Sequence, residues 1–154
     1  MNGSPVTAAD RNFWGVTFAA DDNTFFATAA SGGHTWLVRG NLRARTLVAI
    51  KDGAECPSLS PDGTKIAYKK EISTDPAVKH WTLAVLDFAS GVETQLPITP
   101  SVDDQAEWLD GSTVLYGLAN PSAPGDSTVY SIPVDGKSGP SVFLPHAWSP
   151  SVVR

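Results

Sequence analysis

The sequence predicts an all-β chain made of repeated four-stranded antiparallel units, and three observations support this prediction. Short segments such as "KIAYKK" and "WTLAVLDF" have the length and the β-branched and aromatic content of strands. They are separated by Asp-Gly, Asp-Asn, Ser-Gly and proline-rich breaks, and the 13 glycines and 12 prolines are spread along all 154 residues. Finally, short motifs recur at a constant spacing, which indicates a repeat architecture.

The repeat keeps one register over the second half of the chain. Three motif pairs each recur after 48 residues: Asp62-Gly63 with Asp110-Gly111, Asp87 and Ser90-Gly91 with Asp135 and Ser138-Gly139, and Leu96-Pro97 with Leu144-Pro145. A weaker copy comes first, in which Asp22-Asn23-Thr24 and Phe26-Ala27 match Asp62-Gly63-Thr64 and Ile66-Ala67 at a spacing of 40. The chain is therefore predicted to hold three units in a single domain, residues 1–154, with unit boundaries near 12–52, 53–101 and 102–154.

Each unit is predicted to contain four strands, which are clearest in the middle copy at 56–60, 65–70, 81–88 and 92–98. The first two strands join through Ser60-Pro61-Asp62-Gly63, where Pro61 fixes φ near about −65° and Gly63 accepts the positive φ of a tight turn. The third and fourth strands join through the turn from Asp87 to Gly91. Four-stranded units with a period of about 40 to 50 residues indicate the blades of a β-propeller.

The quoted motifs also resemble those of a known family. "SLSPDGTKIAYKK" followed by "TLAVLDFASGVETQL" is similar to the repeat of TolB-type, WD-repeat-like propellers, and the resemblance extends from about Trp14 to the end of the chain. The first unit departs from the motif with Ala20-Asp21-Asp22-Asn23, and the third has the shorter Leu109-Asp110-Gly111. The resemblance implies a bacterial, extracytoplasmic propeller of six blades, of which these would be the C-terminal three.

Three blades are too few to close a propeller ring, which needs about four to eight, so the apolar faces of the two end blades need a cover. We expect a second copy of the chain to close a six-bladed ring about a two-fold axis. The alternative is that the missing blades belong to a longer parent chain. Trp148-Ser149-Pro150 resembles the start of a fourth unit and fits either arrangement.

Composition and motifs exclude several classes of function. The net charge of −5 and pI near 5.0 argue against nucleic acid, no apolar run is long enough to span a membrane, and the first residues lack the features of a secretory signal. The usual hydrolase, zinc and nucleotide-binding motifs are missing, so we expect neither an enzyme nor a cofactor.

Most of the chemistry-bearing side chains have a structural explanation at this stage. His34, His80 and His146 do not form one pattern, and we expect them to make turn or interblade hydrogen bonds rather than to bind a metal. The stretch from Asp21 to Thr24 is predicted to be a plain turn, with calcium binding as the alternative. Cys56 is expected to be a buried apolar residue, and no metal site is predicted.

The predicted ligand site is the mouth of the central channel, which the loops leading into the inner strands surround. Its candidate residues, called the rim residues below, are Trp14, Glu55, Asp103, Asp104 and Gln105. Their acidity suits a basic peptide or a cation, and a solvated rim without a ligand is the alternative. Trp14 and Trp108 are candidates to line this site, but a large aromatic residue at the start of a strand more often packs between blades.

The sequence therefore favours a non-catalytic binding or scaffold module for a protein, peptide or small ligand. The alternative is a regulatory or gating piece of a larger enzyme, such as a propeller attached to a serine peptidase. A remnant without present activity is a third reading.

Overall fold

A computed structural model describes residues 4–7, 11–75 and 77–153. These residues form thirteen strands and no helix. The strands are β1 Ser4–Pro5, β2 Asn12–Phe18, β3 Thr24–Ser31, β4 His34–Asn41, β5 Thr46–Asp52, β6 Ala54–Leu59, β7 Lys65–Glu71, β8 Trp81–Asp87, β9 Glu93–Gln95, β10 Ala106–Trp108, β11 Thr113–Ala119, β12 Ser127–Pro133 and β13 Ser141–Pro145. Nothing in these ranges has the length and hydropathy of a transmembrane helix.

The strands form three antiparallel sheets in which sequence neighbours pair. Blade 1 is β2 to β5 with the short β1 added outside β5, blade 2 is β6 to β9, and blade 3 is β10 to β13. The first strand of each blade is innermost, since β6 lies against both β2 and β10. This arrangement confirms the predicted all-β fold of four-stranded propeller blades.

The strands of blade 2 lie close to their predicted positions, with one shortening. The predicted fourth strand, 92–98, pairs only over Glu93–Gln95. Beyond it the chain leaves the sheet, and Leu96 and Ile98 enter the core between blades 2 and 3. Pro97 lacks a backbone N–H, which limits continued pairing of this strand.

The predicted spacing of 40 between units 1 and 2 is wrong by one residue. The amide of Ala19 donates to the Thr24 carbonyl as that of Ser60 donates to the Lys65 carbonyl, so the spacing is 41. Asp22 then takes the place of Gly63, and both have positive φ, 51° and 69°. The sequence match at 40 fails because it pairs residues that point to opposite sheet faces.

The repeated aspartates close the hairpin turns. The Asp62 carboxylate accepts bonds from the Thr64 amide and the Ser60 hydroxyl, which lower its pKa to about 2. Equivalent bonds hold the turns at Asp21, Asp110, Asp87 and Asp135. These carboxylates are therefore engaged in turn structure.

Apolar side chains fill the two seams between blades. Phe26 and Leu37 of blade 1 pack with Ile66, Tyr68 and Leu86 of blade 2. On its other side, blade 2 packs on blade 3 through a second cluster made of Ala67, Leu83, Val85, Leu96, Ile98, Val102, Ala106, Trp108, Val114, Tyr116 and Ile132. Trp108 is fully buried, and its Nε1 donates to the Ser58 carbonyl over 2.8 Å.

An ionic cluster ties the outer parts of blades 1 and 2 together. The Glu93 carboxylate accepts bonds from Lys70 and from the Tyr68 hydroxyl, and it pairs with Lys51 of blade 1 at 2.8 Å. Burial raises the pKa of Glu93, but the bonds from Lys51, Lys70 and Tyr68 outweigh it and lower the pKa to about 2. The seam thus depends on an ionised carboxylate.

In the described part of the chain, the outward sheet faces of blades 1 and 3, called the far faces, are only partly covered. Phe13 and Phe18 on the far face of blade 1 are 38% and 58% exposed, whereas Ala54, which corresponds to Phe13 at a spacing of 41, is fully buried. On blade 3, Leu144 is 52% exposed beside Val129. The far faces thus expose positions that the internal seams bury.

The segment after blade 3 follows the course of the linkers between blades. A carbonyl at or next to the start of each third strand accepts a bond from an amide of the following linker: Thr35 from Gly53, Trp81 from Val102, and Ser127 from Ala147. The C-terminal segment therefore leads towards the position of a fourth blade.

Candidate functional site

The inner strands β2 and β6 carry matching irregularities where they face the propeller axis. The β2–β3 register shifts between Trp14 and Thr17, and the β6–β7 register shifts between Glu55 and Ser58. Gly15 and Cys56 hold these bulges at φ 59° and 49°. A non-glycine residue in this conformation is strained, and such strain concentrates at functional sites.

The bulges and the start of β10 surround one recess of about 160 Å³, called the channel recess. Its lining is residues 15–17, 56–58 and 105–107, one triplet from each blade. The triplets are structurally equivalent, because residues at the same position in blades 1 and 2 are 41 apart. For the inner strands of blades 2 and 3 the spacing is 49. These strands precede the first hairpin turn, which is one residue shorter in blade 3 than in blade 2. The inner strands of all three blades therefore contribute to the recess.

Oxygen-bearing side chains occupy the same position in each triplet. These are Thr17, Ser58 and Glu107. The Ser58 hydroxyl donates to Glu107 Oε2 over 3.1 Å, and the Thr17 hydroxyl oxygen accepts from the Leu59 amide over 3.4 Å. The recess thus combines hydroxyl groups with one carboxylate, a set that binds cations and hydrogen-bond donors.

Cys56 is held in place by its backbone and has a poorly reactive thiol. Its amide donates to the Thr28 hydroxyl over 2.8 Å. Burial raises the pKa of the Cys56 thiol despite the nearby Lys69 ammonium. The thiol is therefore mainly protonated near neutral pH and unsuited to act as a nucleophile.

Two of the rim residues lie beside the channel recess. Trp14 is 37% exposed, and its side chain lies beside the Cys56 thiol, whose pKa it lowers slightly against the larger effect of burial. Glu55 Oε2 pairs with Lys69 Nζ at 3.4 Å, and the Lys69 side chain is only 5% exposed. The Lys69 ammonium therefore neutralises the Glu55 carboxylate, one of the acidic groups predicted for the rim.

The other three rim residues diverge. Gln105 is exposed and lines the channel recess. Asp103 and Asp104 instead border a separate recess with Trp148 at the edge of blade 3. Asp104 accepts from the Ser149 amide and hydroxyl over 2.5 and 2.9 Å, so it holds the C-terminal segment.

The sequence-based prediction missed Thr17, Ser58 and Glu107. The signal was present, because these three residues align once the spacings of 41 and 49 are used. The prediction used 40 and 48, which place the inner strands out of register with each other. It also placed the site on the loops before the strands rather than at the bulges within them.

The histidines lie apart in their own local contacts. His80 Nε2 lies 3.2 Å from the Thr99 carbonyl oxygen, and His146 Nδ1 lies 3.0 Å from Asp126 Oδ1. The His34 ring lies against Trp36. Among the residues that the structure describes, no three His, Cys, Asp or Glu side chains are grouped to hold a metal ion.

Solved structures contain the same fold. The chain is similar to TolB from Acinetobacter baumannii, with a TM-score of 0.68 and 21% identity over 87% of this chain and 32% of TolB. It is similar to an acylaminoacyl peptidase in complex with Z-Gly-Gly-Phe-chloromethyl ketone, with a TM-score of 0.61 and 16% identity over 88% of this chain and 25% of the peptidase.

The β-propeller domain of the trilobed protease from Pyrococcus furiosus is also similar, with a TM-score of 0.57 and 16% identity over 90% of this chain and 45% of that one. No protein-family model and no curated protein matches the sequence. The chain thus has the fold of propeller blades like those of TolB, and it spans between 25% and 45% of the length of these three proteins.

Proposed function

We propose that the chain is a non-catalytic binding module whose channel recess accepts a positively charged side chain of a peptide or protein. The observation that carries the proposal is the convergence of three equivalent strand triplets on one polar recess. The Glu107 carboxylate supplies the charge, and the hydroxyls of Thr17 and Ser58 lie at the same strand position. A recess that each blade helps to form is the natural ligand site of a propeller.

We further propose that a second copy completes the recess by closing a six-bladed ring. The far face of blade 1 and the far face of blade 3 repeat the two sides of the internal seams, so they are complementary to each other. In a two-fold dimer, blade 1 of each copy meets blade 3 of the other, and both open faces are covered. The channel would then carry two Glu107 carboxylates.

The first experiment titrates the ¹⁵N-labelled protein with an acetylated lysine-rich hexapeptide and with its glutamate-rich counterpart. We expect the lysine peptide to shift the backbone amides of 56–58 and 105–107, excluding proline, and the glutamate peptide to leave them in place. Glu107→Gln should weaken binding about tenfold, the scale of one charge-assisted hydrogen bond.

Asp22→Asn is the matched control, because it removes one negative charge from an exposed turn residue that does not line the channel recess. Gln105→Glu adds a carboxylate to the recess lining and should tighten binding of the lysine peptide. Failure of both peptides to bind, or equal binding by wild type, Glu107→Gln and Gln105→Glu, would overturn the proposed function.

A second candidate function rests on the peptidase propellers among the similar structures. In that case the chain would gate or regulate a hydrolase domain. A reading frame that continues into such a domain would support this function over that of an independent binding module.

A further inference from the structure

Another recess, apart from the channel recess and the one at Trp148, lies between blades 1 and 2, at the end where the hairpin turns lie. Phe26, Arg39, Ile50 and Phe88 line it, and we call it the Arg39 slot. Its volume of about 150 Å³ is enough for one aromatic ring. None of its residues contributes to the channel recess.

The apolar wall of the slot is made of two aromatic rings from different blades. Phe26 and Phe88 stack with ring centroids 5.3 Å apart and an interplanar angle of 13°. Phe26 is almost fully buried, and Phe88 is fixed by its amide, which donates to the Thr64 carbonyl over 3.0 Å. The wall is therefore preformed and suits a flat apolar group.

Arg39 is an exposed cation at the edge of this wall. In the described part of the chain its guanidinium makes no hydrogen bond and no ion pair. The Asp87 carboxylate, next to Phe88 in the sequence, is not paired with Arg39. It accepts bonds from the Ala89 and Ser90 amides over 3.1 and 2.8 Å. On the side away from the slot, Arg39 borders a further recess, whose lining includes Thr24, Asn41 and Thr46. The guanidinium thus lies between an apolar recess and a more polar one.

We propose that the Arg39 slot binds an aromatic or branched apolar group that carries a carboxylate. The apolar group lies against Phe26 and Phe88, and the carboxylate pairs with the Arg39 guanidinium, whose planar fork matches it. A free organic acid and the C-terminus of a peptide ending in an apolar residue share this chemistry. The slot lies within one chain, so this inference stands or falls separately from the proposed channel function and the dimer.

The test uses the full-length ¹⁵N-labelled chain with 3-phenylpropionate and its uncharged amide as probes. We expect 3-phenylpropionate to shift the backbone N–H signals of Arg39, Ile50 and Phe88. The uncharged 3-phenylpropionamide should bind about tenfold more weakly. Arg39→Gln should weaken binding of the acid by a similar factor. Arg43→Gln is the matched control, because Arg43 is an exposed arginine in the β4–β5 turn and lies outside the slot.

A hexapeptide ending in Phe, as the free acid and as the amide, separates the two sources of the ligand. Binding of the free-acid peptide supports a peptide C-terminus, whereas binding of 3-phenylpropionate alone supports a small organic acid. The proposal is overturned if the backbone N–H signals of Arg39, Ile50 and Phe88 do not shift at roughly 10 mM 3-phenylpropionate, a concentration that detects even weak binding. It is also overturned if acid and amide bind equally, or if Arg39→Gln leaves binding unchanged. If Arg39→Gln does not fold, Phe88→Leu replaces it as the test. This variant removes one of the two rings of the wall and keeps the Arg39 charge, so it should weaken binding of 3-phenylpropionate.

Discussion

Two buried tyrosines experience opposite hydrogen-bonding environments. The Tyr68 hydroxyl donates to Glu93, and burial together with this bond raises the pKa of Tyr68. The Tyr116 hydroxyl is buried without a hydrogen-bond partner in the described part of the chain, and burial raises the pKa of Tyr116 to about 12. An unsatisfied buried hydroxyl costs stability, whereas a satisfied one contributes to it.

Removal of the two hydroxyls should therefore have opposite effects. We expect Tyr116→Phe to leave the free energy of unfolding unchanged or raise it by up to about 1 kcal/mol, and Tyr68→Phe to lower it by about 1 to 2 kcal/mol. Urea denaturation at neutral pH measures both variants. Equal losses of stability in the two variants would show that Tyr116 has a partner after all.

Glu93 should make the stability depend on pH in a defined window. Its pKa is lowered from 4.5 to about 2 in the folded protein, so its contribution is complete above about pH 4.5 and is lost as the pH falls towards 2. Glu93→Gln should lower the free energy of unfolding at neutral pH by about 1 to 3 kcal/mol. The difference from wild type should shrink between pH 4.5 and 2 in a denaturation series. A difference that stays constant across this range would contradict the assigned role of the carboxylate.

At the level of strands and turns, the sequence predicted the features that depend on local residue chemistry. The Ser60-Pro61-Asp62-Gly63 turn and the Asp87 turn form as expected, because their side chains bond to backbone amides two or three residues away. The register of blade 1 was not predictable in this way. Asp22 occupies a positive-φ position that glycine usually fills, so a match of Asp to Asp shifts the alignment by one.

The site was only partly predictable for a related reason. The loops leading to the channel could be located from the strand order, and Trp14, Glu55 and Gln105 do lie beside the recess. The bulges depend on backbone packing between inner strands, since a Cβ on Gly15 would lie 3.0 Å from the Cys56 Cα. Such a contact between blades leaves no short-range signature in the sequence.

The C-terminal segment should be released by a small change in β11. A Cβ at Gly117 would lie 2.3 Å from Asp104 Oδ2, the atom that accepts the Ser149 amide bond. We expect Gly117→Ala to displace the carboxylate and to abolish hydrogen-exchange protection at the Ser149 amide, with a stability loss of about 1 to 2 kcal/mol.

Gly111→Ala provides the control for this experiment. A Cβ at Gly111 would meet no other atom within 4 Å, and Gly111 does not have positive φ, so alanine should be tolerated there. Wild-type protection of Ser149 in Gly117→Ala would show that the segment is held by contacts other than Asp104.

For the whole molecule, the open far faces predict association. Light scattering coupled to size exclusion should give a mass of twice 16.2 kDa at high concentration, falling on dilution. Phe18→Asp on blade 1 or Leu144→Asp on blade 3 should each shift the protein to the monomer, because each places a charge in both seams. Val78→Asp, at an exposed residue outside both far faces, is the control.

A mixture of the two variants distinguishes the mode of association. If blade 1 meets blade 3, a heterodimer of Phe18→Asp and Leu144→Asp retains one unchanged seam and should form more readily than either homodimer. A monomer of the wild-type chain at all concentrations would contradict the ring, as would identical behaviour of the mixture and the separate variants.

The course of the chain after blade 3 has a consequence for gene duplication. Because the Ala147 amide repeats the linker bond made by Gly53 and Val102, a second copy encoded in frame after this segment would start where a fourth blade belongs. Such a tandem chain would replace a bimolecular encounter with an intramolecular one at a high effective concentration. Each half would keep its own linker pattern, so a three-blade chain of this kind can serve as the ancestral unit of a single-chain ring.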